Sequence, residues 1–244
     1  MKVVYFLILI IFLISCADDI NYKYEKIVLP PLKVVSVKLE NNMPDMTSYM
    51  DIEFNTKVSR SSVYRGISCS SGTKNAFMYM YIRSENEKDT VRLMPFYPLV
   101  PYVLYTCKVS KEVTDILGKS ISEEYIFKFK PSARYFSSRE FNPDYHKFDN
   151  VYKFLQRRCT ECHNDKHKLN FKVSKSELYS VLINEGYKGR RYIVPFDIEN
   201  SYLINKLMGV NFYGDKMPPD LKIPVFELEK TVGWVKLGAK YEEN

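Results

Sequence analysis

The sequence predicts a multidomain protein, an all-β sandwich followed by a small all-α domain. Short runs of alternating apolar and polar residues, separated by turn-rich pieces, fill residues 32–130 and favour an antiparallel sandwich. From residue 149 onward the apolar residues recur at helical spacing. With 244 residues, of which 45% are hydrophobic, the chain is long enough to bury two modest cores.

Residues 1–15 have the proportions of a signal peptide. One lysine precedes an apolar run that is too short to span a bilayer comfortably. The segment LISC (Leu13–Cys16) resembles the lipobox of bacterial lipoproteins, which implies that Cys16 is the first mature residue and carries lipid. A plain signal peptide with an incidental cysteine is the alternative. Residues 16–31 are then a polar tether, and the protein is expected to be exported and lipid-anchored, facing the periplasm or the cell surface.

The strands of the predicted sandwich carry a family resemblance. The segments IEFNTKVSRSSV (residues 52–63) and TVRLMPFYPLVPYVLYTCKVSKEVTDILGKSI (residues 90–121) resemble the bacterial immunoglobulin-like domain of surface-layer and other exported proteins. The resemblance implies an immunoglobulin-like β-sandwich over residues 32–130. Because it offers no catalytic constellation, we expect this domain to act as a spacer or docking module.

Five cysteines need an explanation in an exported chain, where free thiols tend to be oxidised. Cys16 is assigned to lipid, and Cys159 and Cys162 belong to a motif discussed below. Cys69 and Cys107 remain and are predicted to form a disulfide. Strand periodicity points both side chains inward, where a bridge between the two sheets can form. Two buried free thiols are the alternative.

Residues 131–148 show no clear period and are interpreted as a linker. Residues 149–244 then contain three runs with helical spacing and no strand signal. These runs are NVYKFLQRRC, IENSYLINKLM and FELEKTVGWVKLGA, the last of which ends at a glycine that suits a helix stop.

The stretch RRCTECHND holds two cysteines two residues apart and a histidine directly after the second. Zinc normally draws ligands from two separated pairs, and His167 and His146 are the remaining candidates. A thioredoxin-like redox pair needs a βαβ setting, which the helical surroundings do not supply. The spacing matches covalent haem attachment, in which Cys159 and Cys162 form thioethers and His163 ligates the iron. This favours one haem c.

A second iron ligand is expected in the loop YGDKMPPD, where Met217 precedes two prolines that hold the chain extended. Met208 is a rival, but it lies on an apolar helical stripe and is assigned to the core. His167 starts on the same side as His163, and His146 remains open as an alternative.

A second resemblance concerns residues 149–244. The segments VPFDIENSYLINKLMG, DKMPPD and ELEKTVGWVKLGA look like the compact, class I-like cytochrome c domains attached to other domains in exported bacterial proteins. The resemblance implies that Met217 is the distal ligand and that Trp234 packs near the haem, although Trp234 also suits a plain core position. Arg190 and Arg191 are assigned either to the haem propionates or to solvent.

The expected function is therefore one-electron transfer by an exported, membrane-anchored monohaem c-type cytochrome that passes electrons between redox partner proteins. We expect no enzyme activity, because iron with two axial ligands has no open position for a substrate. The alternatives are a haem enzyme or gas sensor with an open distal site, or a surface interaction protein. The net charge of +7 is spread along the chain without a basic stripe, so no nucleic-acid partner is expected.

Overall fold

The first half of the chain forms two antiparallel four-stranded sheets in the computed structural model, which describes residues 28–40, 44–137, 139–219 and 223–242. The strands, in chain order, are β1 (Val34–Leu39), β2 (Met50–Phe54), β3 (Ile67–Ser71), β4 (Lys74–Ala76), β5 (Met78–Glu85), β6 (Lys88–Pro95), β7 (Tyr105–Val109) and β8 (Tyr125–Phe129). One sheet has the order β1-β2-β6-β5, and the other has the order β4-β3-β7-β8.

The sandwich core forms because alternate residues of each strand point inward. In β2 and β6, for example, Ile52, Phe54 and Val91 are fully buried. Burying such a side chain contributes about 1.5–3 kcal/mol each. The alternation in the sequence therefore gives both sheets an apolar inner face.

A short helix, α1 (Arg60–Gly66), connects β2 to β3 and was not expected from the sequence. Its Val63 is fully buried in the sandwich core. A Cβ at Gly66 would lie 2.5 Å from Cγ2 of Val113, so the close approach of these two segments requires glycine.

Cys69 and Cys107 form a disulfide, with their Cα atoms 4.0 Å apart. They are directly paired across the neighbouring strands β3 and β7. The bridge therefore lies within one sheet. The expectation that it joins the two sheets is wrong. The inward direction of both side chains does hold, since Cys69 and Cys107 are 2% and 0% exposed.

The described residues of the second half form four helices and a two-stranded ribbon. The helices are α2 (Phe148–Cys159), α3 (Lys175–Asn184), α4 (Tyr202–Met208) and α5 (Val225–Lys236), and the ribbon strands are β9 (Gly186–Tyr187) and β10 (Arg190–Arg191). A second buried core joins these helices, and it includes Met46 from the sandwich half and Phe136.

The prediction of a small all-α cytochrome c domain after the sandwich is wrong. The ribbon interrupts the helices because Lys188 and Gly189 both adopt positive φ angles (50° and 79°), which suits a tight two-residue hairpin turn. Among the described residues, moreover, no group of three or more His, Cys, Asp or Glu side chains could hold a metal ion. The immunoglobulin-like part of the predicted fold class fits, and the cytochrome c part does not.

Helix α3 was also missed, although the sequence carries a start signal for it. The Oγ of Ser174 accepts a hydrogen bond from the backbone N–H of Glu177 at 3.3 Å, in the arrangement of a serine cap with glutamate three residues later. Leu178 and Leu182 then bury one face of the helix.

The segment predicted as a linker is hydrogen-bonded to the sandwich. The backbone N–H of Ser132 donates to the carbonyl of Pro44 at 2.8 Å, and that of Met46 donates to the carbonyl of Arg134 at 2.9 Å. The buried carboxylate of Asp45 accepts from both the N–H and the hydroxyl of Ser137. The described residues from Pro31 onward form one compact unit.

The predicted signal peptide and Cys16 lie outside the described residues. Within the described ranges, no helix combines the length and the apolar composition needed to cross a membrane.

Candidate functional site

A cavity of about 540 Å³ opens in the second half of the chain. It lies where the C-terminal end of α2, the loop that follows it, helix α4 and residues 213–219 meet. Its lining brings the motif residues Cys159, Cys162 and His163 together with Met217, which lies more than 50 residues further along the chain.

Cys159 is the last residue of α2, and Cys162 follows in the exposed turn. The backbone N–H of His163 donates to the carbonyl of Cys159 at 2.8 Å, which keeps the three side chains within one turn. Both cysteines are free thiols. Burial raises the pKa of the Cys159 thiol to about 12, and the neighbouring Arg158 opposes that shift. Because the thiolate is the reactive form, this environment makes Cys159 a weak nucleophile at neutral pH.

The imidazole of His163 is held by the carbonyl of Leu169, which lies 3.1 Å from Nδ1. Since a carbonyl can only accept, Nδ1 carries the proton and Nε2 keeps a free lone pair in the neutral ring. Burial lowers the pKa of His163, while the Leu169 hydrogen bond acts in the opposite direction. A neutral imidazole oriented by a backbone carbonyl is the form in which histidine binds a metal.

Met217 reaches the cavity from a loop without regular secondary structure. Its backbone N–H donates to the carbonyl of Lys206 in α4 at 3.1 Å. The rival Met208 is 1% exposed and belongs to the helical core. Met217 is thus the methionine that shares a cavity with the cysteine motif.

The two other histidines differ in position. His167 lines the cavity, and its ring centre lies 5.5 Å from that of His163. His146 is buried elsewhere, with Nδ1 2.8 Å from the carbonyl of Asn142, and is not among the cavity-lining residues. The described residues do not bring His146 and His167 together with the cysteines into a zinc-like ligand set.

Arg190, Arg191 and Trp234 do not line the cavity. Arg190 packs over the ring of Tyr202, which does line it, at 5.0 Å. Arg191 is exposed to solvent. The indole N–H of Trp234 donates to the carbonyl of Lys240 at 2.8 Å, so the polar group of this buried ring is satisfied within the core.

Several cavity residues were missed by sequence reasoning. Lys206 lines the cavity together with four tyrosines, which are Tyr187, Tyr192, Tyr202 and Tyr213. Only Tyr202 and Lys206 are related by helical spacing, since both lie in α4. The other three come from the ribbon (Tyr187), from the segment just after it (Tyr192) and from the loop after α4 (Tyr213), so the sequence gives no signal that they meet.

A buried glutamate also supports the site. Glu227 of α5 pairs with Arg157 at 2.5 Å and with Arg158 at 3.2 Å, and its side chain is only 5% exposed. The two arginines directly precede Cys159, so the ion pairs tie the motif to the last helix. A charged residue on an otherwise apolar helix face was the signal that could have identified it.

The cavity has the size of a ligand site, and its lining is mostly apolar. Its volume falls in the range of about 300–1,000 Å³ that is common for ligand sites. Two thiols, one neutral imidazole and one thioether reach it, and a pair of tyrosine rings (Tyr187 and Tyr202) stacks beside it with centres 5.9 Å apart. These residues fit a covalently held haem in donor chemistry and in the apolar character of the walls.

Residues 30–130 match the family model described as "Bacterial Ig-like domain". No curated protein matches the chain. Among solved structures, the N-terminal part of the bacterial S-layer protein SbsC is 21% identical, with a TM-score of 0.32, covering 46% of this chain and 26% of that one. The native conformation of E. coli alpha-2-macroglobulin is 13% identical, with a TM-score of 0.33, covering 43% of this chain and 6% of that one. The present chain therefore spans a small part of either protein.

The family match and the two packed antiparallel sheets agree in their extent. The match begins just before β1 and ends just after β8. Residues 30–130 are therefore a bacterial Ig-like domain with an all-β sandwich fold.

Proposed function

We propose that the protein carries one covalently attached haem c at Cys159 and Cys162 and transfers single electrons. The observation that supports this is the meeting of the cysteine pair, His163 and Met217 at one apolar cavity. When bound, the haem supplies an iron that accepts and releases one electron. An electron carrier, and not an enzyme, is favoured because His163 and Met217 would both hold the iron and would leave no position open for a substrate.

Each residue has a separate task in this proposal. Cys159 and Cys162 hold the group covalently, and the carbonyl of Leu169 orients His163 so that Nε2 is free to bind the iron. Met217 offers a soft thioether, which favours the ferrous state and a relatively high potential. The cavity walls are mostly apolar, and a setting of low polarity also favours the less charged state.

The covalent attachment of haem can be tested by itself. Because thioether-linked haem survives denaturation, the full-length protein from a host that matures c-type haem should stain for haem on a denaturing gel. Cys159→Ala together with Cys162→Ala should abolish the stain, whereas His167→Ala, which changes another residue of the cavity lining, should retain it. Absence of the stain from the unmodified protein would refute the proposal.

The coordination state separates electron transfer from its main rival. A carrier with His163 and Met217 on the iron should bind carbon monoxide poorly in the ferrous state. Avid binding by the unmodified protein would instead indicate a haem enzyme or gas sensor.

We also propose that the protein is an exported lipoprotein, anchored through Cys16 and facing the periplasm or the cell surface. The disulfide Cys69–Cys107 supports export, because such bonds persist in oxidising compartments. Residues 30–130 form a bacterial Ig-like domain, and we assign this domain the role of spacer or docking module. Cys16→Ser should release the protein from membranes. If that variant still pellets with membranes and keeps the processed mass, the lipid anchor is excluded.

A further inference from the structure

We infer that Lys206 is the positioning residue for Met217 and holds the Met217 loop, residues 211–217, against the cavity. The inference rests on the proposed function for what Met217 binds. The hold on the loop itself is a property of the chain and can be measured separately.

Lys206 contacts the Met217 loop at four points. Its Nζ donates to the carbonyl of Tyr213 at 2.9 Å and also to the carbonyl of Asp215. The ammonium lies 5.1 Å from the ring centre of Phe212. Its backbone carbonyl accepts from the N–H of Met217 at 3.1 Å. One residue of helix α4 thus contacts the loop from Phe212 to Met217.

The loop needs such support because it has no regular secondary structure of its own. Gly214 lies in its middle with a φ of 68°, a backbone region in which a side chain is strained. Backbone carbonyls at Tyr213 and Asp215 flank this glycine, and an ammonium with three donors can satisfy both at once. Charge-assisted hydrogen bonds of this kind are stronger than neutral ones.

Tyr202 supports the beginning of the same loop. It lies one helical turn before Lys206, so both side chains project from the same face of α4. The Tyr202 hydroxyl donates to the carbonyl of Tyr213 at 3.2 Å and accepts from the Tyr213 N–H at 3.3 Å. Lys206 extends this support beyond Gly214 to Asp215, next to the residues that deliver Met217.

The substitution Lys206→Met keeps an unbranched apolar stem and removes the ammonium. The Lys206→Arg variant retains several donors and should rescue the hold on the loop. Lys188→Met is the matched control. Its ammonium lies over the rings of Tyr187 and Tyr213, at 5.5 Å and 5.4 Å, so the variant removes the same charge beside the same loop without removing a carbonyl contact.

The first measurement is amide hydrogen exchange of the full-length protein, read for the peptide that contains residues 211–217. We expect exchange about tenfold faster in Lys206→Met, because the loss of two charge-assisted hydrogen bonds favours local opening. Lys206→Arg and Lys188→Met should exchange like the unmodified protein. Unchanged exchange in strand β6 and helix α5 verifies that each variant is folded.

The second measurement reports on the methionine. In the haem-loaded protein, Lys206→Met should weaken the long-wavelength sulfur-to-iron band of the ferric state and increase carbon monoxide binding about tenfold or more. Lys206→Arg should restore both signals, and Lys188→Met should leave them unchanged. A merely structural role would lower the melting temperature without this rescue pattern.

The outcomes separate the inference from the proposed function. If the protein carries no haem, the proposed function fails, while hydrogen exchange still decides whether Lys206 holds the Met217 loop. If haem is present and Lys206→Met leaves exchange and the sulfur band unchanged, the inference is overturned and the proposed function stands. An equal effect of Lys188→Met would also overturn it, since charge alone would then explain the result.

Discussion

Replacing Asp45 with asparagine tests how the Ig-like domain is connected to the segment that follows it. Asp45 is 2% exposed. One carboxylate oxygen accepts from the N–H and the hydroxyl of Thr47 at 2.7 and 2.8 Å, and the other accepts from the N–H and the hydroxyl of Ser137 at 3.2 and 2.9 Å. The change removes the charge and one of the two acceptor oxygens while keeping the size of the side chain.

The magnitude follows from these contacts. If the amide oxygen of the variant stays on the Thr47 side, its NH2 group faces the N–H of Ser137, and two donors meet. Because Ser137 is an exposed residue, water can replace part of what its N–H loses, and the main cost is the weakening of the charge-assisted bonds, about 1 kcal/mol each. We therefore expect a loss of about 2 kcal/mol in the free energy of unfolding. For a unit of this size the melting temperature should fall by about 4–8 °C.

The assay is thermal unfolding followed by far-ultraviolet circular dichroism and by tryptophan fluorescence. Trp234 is the single tryptophan of the chain and lies in the helical core. Its fluorescence therefore reports on the second half of the chain, whereas Asp45 belongs to the first. Asp144→Asn is the control, because it makes the same chemical change on a side chain that is 93% exposed. That control should shift the free energy of unfolding by less than about 0.5 kcal/mol.

A drop in melting temperature no larger than that of the control would refute the reasoning. A drop seen by circular dichroism but absent from the fluorescence of Trp234 would show that Asp45 stabilises the sandwich alone. Only a shift in both signals supports a connection that the two halves share.

Three further predictions concern pH, the disulfide and the iron ligand. Burial raises the pKa of Tyr135 from 10.0 to about 12, so the folded protein keeps this proton to a higher pH than the unfolded chain does. The resulting stability, about 3 kcal/mol, is present below pH 10 and is lost as the pH rises to 12. Tyr135→Phe should flatten that loss in urea titrations, and an unchanged decline in the variant would contradict the prediction. The disulfide closes a loop with a sequence separation of 38. Replacing Cys69 and Cys107 with alanine should therefore lower the free energy of unfolding by about 4 kcal/mol. If reductant does not change the unfolding midpoint of the unmodified protein, the disulfide does not stabilise it. Met217→Ala should abolish the ferric sulfur-to-iron band while the haem stays attached. Met208→Ala should lower the free energy of unfolding by about 2–5 kcal/mol and keep the band. The reverse pattern would show that the wrong methionine was assigned.

The Ig-like domain was predictable because its signals are local. A strand with one buried face needs an apolar residue at every second position, and this period is visible in β2, β6 and β7 without knowledge of their partners. The prediction of an immunoglobulin-like sandwich is confirmed for residues 30–130. The inward direction of Cys69 and Cys107 follows from the same period, but whether they meet within one sheet or between two depends on strand order, which a period does not contain.

The second half was less predictable. Its ribbon depends on the positive φ angles of Lys188 and Gly189, and a single glycine in a charged stretch is a weak signal among many. The prediction of an all-α cytochrome c domain failed at this point. Helix α3, in contrast, had a readable serine cap at Ser174 and was missed because its apolar face is short.

The sequence by itself determined the spacing of Cys159, Cys162 and His163, because residues within one turn stay together in any fold that the rest of the chain adopts. Only the tertiary structure decided that Met217 shares their cavity, that Trp234 lies in the core and that Lys206 holds the Met217 loop. The physical reason is that contacts between distant segments are selected by the packing of whole helices and by the hydrogen bonds of irregular loops. Neither leaves a periodic trace in the order of the residues.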